Sequence, residues 1–154
     1  MAKIMLDTQI YDCIVSEPGL AERLNLLSKA GKLEILTTHI QQDEIAAITD
    51  EPKRTTAQQI MARCVPTSGA IWGVSKWDMC TWGDGSAGGF GIDEVRSPSK
   101  GHTADALIAT TAAKDADVLV TEDGRLTKRL KTLNSQCKIW GYTRFRAYIL
   151  ELAT

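Results

Sequence analysis

HTADALIATTAAKDADVLVTEDGRL, residues 102–126, carries three elements in succession. Thr103 to Lys114, dominated by small residues around Leu107 and Ile108, predicts a closely packed helix. Asp117-Val118-Leu119-Val120-Thr121 is an unbroken apolar run between polar ends, the pattern of a buried parallel strand. Leu126 to Leu133 predicts a basic helix. Helix, strand and helix in that order are the unit of an α/β fold, a mostly parallel sheet flanked by helices.

The rest of the chain extends this alternation in both directions. Lys3-Ile4-Met5-Leu6 predicts a strand and Thr8 to Val15 a helix, with a break at Glu17-Pro18-Gly19. Leu20, Leu24 and Leu27 recur at amphipathic helical spacing up to Gly31, a natural stop. Leu33 to Thr37 predicts the second strand. Thr38-His39-Ile40-Gln41 has the Thr-x-x-Gln form of a capping box, opening a helix that runs to about Thr49. After Asp50-Glu51-Pro52, Arg54 to Cys64 predicts another amphipathic helix with Ile60, Met61 and Cys64 inward. Cys137 to Trp140 predicts a last strand, and Thr143 to Leu152 a closing helix.

Residues 66–101 break the rhythm. Trp72, Trp77 and Trp82 alternate with Gly and Ser and lead into GDGSAGGFG, so this segment reads as an insertion in a single domain spanning 1–154. Ile71 to Thr81 predicts a hairpin or edge strand, and Gly83 to Lys100 a loop. Core or hairpin packing is the expected role of the tryptophans, although Trp77 or Trp82 can also serve as a base-stacking platform.

Composition is that of a soluble globular protein: 154 residues, 44% hydrophobic and 24% charged, with a formal charge of 18 − 19 = −1. A chain of this length buries enough surface to fold without disulfide or metal staples. Cys13, Cys64, Cys80 and Cys137 form no C-x-x-C pair, and MAKIMLDTQ carries no signal-peptide core, which predicts reduced thiols and a cytoplasmic location. No apolar run reaches membrane-spanning length, so no membrane role is expected. Residues 124–150 hold Arg125, Lys128, Arg129, Lys131, Lys138, Arg144 and Arg146 without a single acid. This is either a solvated basic face or a contact for a polyanion.

Ligands of open parallel sheets gather outside the C-terminal ends of the strands. Asp7 directly follows the first strand, Asp123 follows the 117–121 strand, and Asp105 lies in the first turn of the helix before it. Each also has a structural reading: Asp7 as a helix cap, Asp105 as a complement to a helix N-terminus, Asp123-Gly124 as a turn. Glu44 is less easily explained. At about 100° per residue it shares a stripe with Ile40, Ala47 and Ile48, which predicts a core-facing carboxylate. Such a group must be paired with Arg or Lys, protonated, or bound to a cation. If the four acids converge, their repulsion calls for a cation, and an all-oxygen donor set without His or Cys suits Mg²⁺ or Mn²⁺.

These residues resemble a known family. Leu6-Asp7-Thr8, Glu44, Asp105-Ala106-Leu107-Ile108-Ala109, Val118 to Asp123 and the strand near Ile139 together are similar to the PIN-domain ribonucleases, which include VapC-like toxins. The most specific part is D-A-x-I-A, a small-residue helix, a strand and T-x-D. The likeness covers residues 1–65 and 102–145. It implies a PIN-like three-layer sandwich in which Asp7, Glu44, Asp105 and Asp123 are the catalytic, metal-binding acids and Thr121 is a supporting hydroxyl. It further implies Mg²⁺- or Mn²⁺-dependent endonucleolytic hydrolysis of RNA by a metal-bound water, often in a homodimer, and in the toxins restraint by an antitoxin protein.

Arg125, Lys128 and Arg129 begin right after Asp123, which favours a phosphate-backbone contact beside the acids. The alternative is a PIN-like module that binds nucleic acid or protein without cutting. A receiver domain and a D-x-D phosphatase fit poorly, because Asp7 is followed by Thr8-Gln9 and Ile139-Trp140 by Gly141 rather than lysine.

Overall fold

The computed structural model describes residues 1–68, 80–81 and 100–152, with side chains described for 1–68 and 104–152. In chain order the elements are β1 (Ala2–Leu6), α1 (Thr8–Ser16), α2 (Leu20–Lys29), β2 (Leu33–Thr37), α3 (His39–Ala46), α4 (Glu51–Gln59), β3 (Ala62–Cys64), β4 (Thr67–Ser68), β5 (Cys80–Thr81), α5 (Lys100–Asp115), β6 (Val118–Val120), α6 (Gly124–Thr132), β7 (Lys138–Trp140) and α7 (Tyr142–Glu151). The main sheet has the order β3-β2-β1-β6-β7, and every pairing in it is parallel. The protein is therefore α/β, with a parallel central sheet flanked by seven helices among the described residues.

Strand alternation sorts the core onto two faces. Ile4, Leu6, Leu33, Ile35, Val118 and Val120 join one buried cluster with residues of α1, α2, α4 and α7. Met5, Leu36 and Leu119, which point the other way, join a second cluster with α5 and α6. Helices thus cover both faces. Register between β1 and β6 is pinned by Asp117, whose Oδ2 accepts from Lys3 N at 2.8 Å while its own N–H donates to Lys3 O at 2.8 Å.

The helix boundaries follow local chemistry. Gly31, at φ 68°, ends α2 where glycine tolerates a left-handed backbone that other residues avoid. The Thr38–Gln41 capping box forms as expected, and Asp50 caps α4 by accepting from Lys53 N. Lengths differ where tertiary structure intervenes. α3 stops at Ala46 rather than near Thr49.

The predicted helix over Arg54–Cys64 is corrected. α4 ends at Gln59, and Ala62–Cys64 becomes an edge strand paired with Ile35–Thr37. Asn25 makes the turn between them, accepting from Met61 N at 2.7 Å and donating to Gln59 O at 2.9 Å. Met61, expected inward, is 46% exposed. A three-residue strand against an open sheet edge leaves too short an alternation for the sequence to signal.

Of the 66–101 insertion, residues 66–68, 80–81 and 100–101 are described. Thr67–Ser68 pairs in parallel with Cys80–Thr81, a small second sheet docked on α5, where Ser68 N donates to Thr111 Oγ1 at 3.0 Å. The expected hairpin or edge strand over 71–81 lies outside the described residues except for Cys80–Thr81, and so do the 83–100 loop before Lys100 and the side chains of Trp72, Trp77 and Trp82. No described helix is long and apolar enough to cross a membrane.

Candidate active site

From β1 the chain builds leftward to β2 and β3, and later rightward to β6 and β7, so the strand order reverses between β1 and β6. In open parallel sheets this reversal opens a crevice at the strands' C-terminal ends. Asp7 stands at the end of β1, while Thr121 and Asp123 stand just past β6. The two acids nearest the reversal come from the two strands that define it.

Thr121 joins them. Its Oγ1 donates to Asp7 Oδ2 at 2.9 Å and accepts from Asp123 N at 3.0 Å. Asp7 Oδ1 accepts from Thr8 N at 2.8 Å and caps α1; Asp123 Oδ1 accepts from Arg125 N at 2.8 Å and caps α6. The capping reading of Asp7 is thus realised, and Asp123, read from the sequence as a turn residue, is a helix cap as well. Capping does not exhaust them, because Asp7 is only 8% exposed and burial holds its carboxyl above the usual carboxylate range. Bonds from Thr121 and Thr8 temper that rise, and the negative charge of Asp123 adds to it.

Asp105, on α5, is half-buried. Burial raises its carboxyl most, followed by the charges of Asp7 and Asp123, with Glu44 a smaller contributor and Arg129 opposing. All four acids named from the sequence therefore act on Asp105 or are Asp105 itself.

Glu44 requires a correction. It is exposed rather than core-facing. Ile40 packs into one core cluster and Ile45 into the other, so α3 lies across the C-terminal edge of the sheet. The predicted stripe does not form: the helix ends at Ala46, Ala47 is exposed, and Ile45 rather than Glu44 is the buried residue after Ile40. At the edge, Glu44 accepts a short hydrogen bond from Thr8 Oγ1, the residue next to Asp7.

Two contributors were not singled out from sequence. Thr8 links Glu44 to the Asp7 cap. Gln41, fully buried, accepts from Thr38 N with its Oε1 and donates from Nε2 to Leu6 O, fastening the start of α3 to the last residue of β1. The Thr-x-x-Gln capping signal located Gln41 but gave no hint of its second bond. Glu122, between Thr121 and Asp123, turns aside and accepts from Tyr142 N at the start of α7.

The available donors are carboxylate and hydroxyl oxygens, a set suited to a hard divalent cation. Among the described residues, no three His, Cys, Asp or Glu side chains are drawn into a group that could hold a metal ion. On the second face, α6 carries Arg125, Lys128, Arg129 and Lys131 away from the Asp123 cap, with Leu126 and Leu130 buried beneath. Its basic face starts at the rim of the acids.

No family model matches the chain, and no curated protein or solved structure does either.

Proposed function

We propose that the chain is a PIN-like, Mg²⁺- or Mn²⁺-dependent endoribonuclease that hydrolyses RNA phosphodiesters. The observation that carries this reading is the burial of Asp7 and Asp105, whose carboxyls are raised first by desolvation and then by neighbouring negative charge, Asp123 acting on both, beside the strand-order reversal. Raised carboxyl pKa values in a like-charge cluster mark a place where ionisation is costly until a cation offsets it. A bound divalent ion would supply Lewis acidity, lowering the pKa of a coordinated water and neutralising phosphate charge.

The chain's own groups have distinct parts in this reading. Asp7 and Asp123 are oriented by Thr121, and Asp105 faces them from α5. Glu44, at the exposed edge, is placed by Thr8 to close the cluster from α3. Arg125, Lys128 and Arg129 would hold the phosphate backbone alongside, contacts that give affinity without base choice. The toxin role, with an antitoxin partner and a homodimeric assembly, belongs to the same family reading.

The alternative, a PIN-like module that binds nucleic acid or protein without cutting, draws on the open spacing of the acids. Incubation with single-stranded RNA, with Mn²⁺ or with chelator, separates the two. Cleavage that needs Mn²⁺ and disappears in Asp105→Asn is expected. Binding without cleavage would favour the module, and cleavage that persists with chelator would remove the acids from the chemistry.

A further inference from the structure

Trp140 closes β7 at the same edge of the sheet as the acids. Its carbonyl accepts from Thr121 N at 3.0 Å, and the Thr121 hydroxyl is the group that joins Asp7 to Asp123. The half-buried indole is braced from α7 by two side chains one helical turn apart. Tyr148 meets it edge to face, with ring centroids 5.1 Å apart, and the Arg144 guanidinium carbon stands over it, 5.0 Å from the centroid. A cation–π contact of this kind holds a long side chain in place without neutralising its charge.

Other arginines spend their donors within the fold. Arg23 donates to three carbonyls at the end of α7, Arg63 to Glu34, and Arg146 to Glu17. Arg144 meets no carboxylate among the described residues, and it is exposed, so the guanidinium face turned from the indole is open to solvent. Glu122 and Glu17, acids bonded to α7, are engaged by Tyr142 and Arg146. The helices after β6 and β7 cover opposite faces of the sheet: Leu126 and Leu130 of α6 join one core cluster, Phe145 and Ile149 of α7 the other. A strand held by the basic face of α6 that crosses the sheet edge past Asp123 therefore arrives at Arg144.

We propose that Arg144, held by Trp140, is a stacking subsite for one unpaired base of an RNA strand that runs across the acids, a subsite that rests on the nuclease reading and narrows its substrate to single-stranded segments. Guanidinium planes and aromatic rings are the surfaces on which splayed-out bases stack, and a base inside a duplex cannot reach them. Arg144 carries the base, and Trp140 is a positioning residue beneath it.

Fluorescence anisotropy of the full chain with a labelled oligoadenylate and with an RNA duplex of the same length, both with chelator present, tests the subsite. Arg144→Lys keeps the charge and removes the plane, so it should weaken oligoadenylate about tenfold and leave the duplex unchanged. Trp140→Leu keeps an apolar side chain but removes the ring that holds the guanidinium, and should weaken oligoadenylate in the same sense. Oligoadenylate bound equally by Arg144→Lys and the wild type overturns the subsite, because charge alone would then suffice. Equal losses on both RNAs overturn it too, as does a wild type that binds no oligoadenylate. With Mn²⁺, Arg144→Lys should raise the KM for cleavage of a single strand and spare kcat. Weakened single-strand binding in a protein whose wild type never cuts removes the nuclease reading and keeps the subsite; cleavage with unchanged KM removes the subsite and keeps the nuclease.

Discussion

Thr121 and Asp7 lie 114 residues apart in the chain, yet the hydroxyl of one donates to the carboxylate of the other at 2.9 Å across the β1–β6 seam. The same hydroxyl accepts from Asp123 N, so a single oxygen sets the relative position of two acids. Three consequences of this arrangement, and two from elsewhere in the fold, can be measured.

Thr121→Val keeps the shape of the side chain and deletes both bonds. A buried carboxylate loses its donor and a backbone N–H its acceptor, so a stability loss of about 1–3 kcal/mol is expected in urea unfolding. Stability equal to wild type would show that water replaces the hydroxyl at no cost.

The pH dependence follows from Asp7 and Asp105, both raised above 3.8 in the folded protein. Between the unfolded and folded pKa values the native state holds more protons, so stability falls as pH rises through that window. The penalty is complete above the folded pKa and absent below 3.8. Metal-free protein should therefore gain melting temperature as pH falls through the window between the folded values and 3.8. Glu17 and Glu34, held below the usual range by Arg146 and Arg63, act oppositely, and their contribution is lost only at lower pH. Asp105→Asn should flatten the first slope and raise the metal-free melting temperature; an unchanged profile would refute the buried-charge account.

Millimolar Mn²⁺ should raise the melting temperature of the wild type, because a ligand that binds only the folded state stabilises it. The shift should shrink in Asp105→Asn. Equal shifts in both proteins would place the ion elsewhere.

Gln41→Leu should destabilise by about 1–3 kcal/mol for each of the two buried backbone groups it abandons, Thr38 N and Leu6 O. Because those groups tie β1 to α3, hydrogen exchange at the start of α3 should accelerate more than exchange in α6. A uniform increase would indicate general loosening instead.

Charge reversal at Lys128 and Arg129 should weaken RNA binding at low salt and flatten the dependence of log K on log salt, as expected when phosphate contacts are removed. An unchanged slope would return the outer face of α6 to ordinary solvation.

Much of this architecture could be read from residue order. The buried runs at β1, β2 and β6 are long or apolar enough to announce strands, and Gly31 and Thr38–Gln41 announce helix ends. What escaped was set by tertiary contact. β3 exists because Ala62–Cys64 meets the open edge of β2, and no local periodicity encodes that meeting. Glu44 shows the same limit: helical spacing put it on a core-facing stripe, but the helix ends before Ala47 and Ile48, and which face meets the core depends on where α3 crosses the sheet. That Asp7 and Asp123 stand on one edge of the sheet was inferable because strand ends in parallel sheets share one side. Thr8 and Gln41 reach across elements by bonds that sequence spacing does not disclose.

Ala2–Leu6 occupies the middle of the sheet, with β2 on one side and β6 on the other. During synthesis it can pair with β2 once residue 37 has emerged, but its other side must wait until residue 118 leaves the ribosome. Until then β1 keeps an unsatisfied edge, a liability for association between growing chains. Asp7 likewise waits for Thr121, so a translation product halted before that point lacks the hydroxyl that orients its carboxylate.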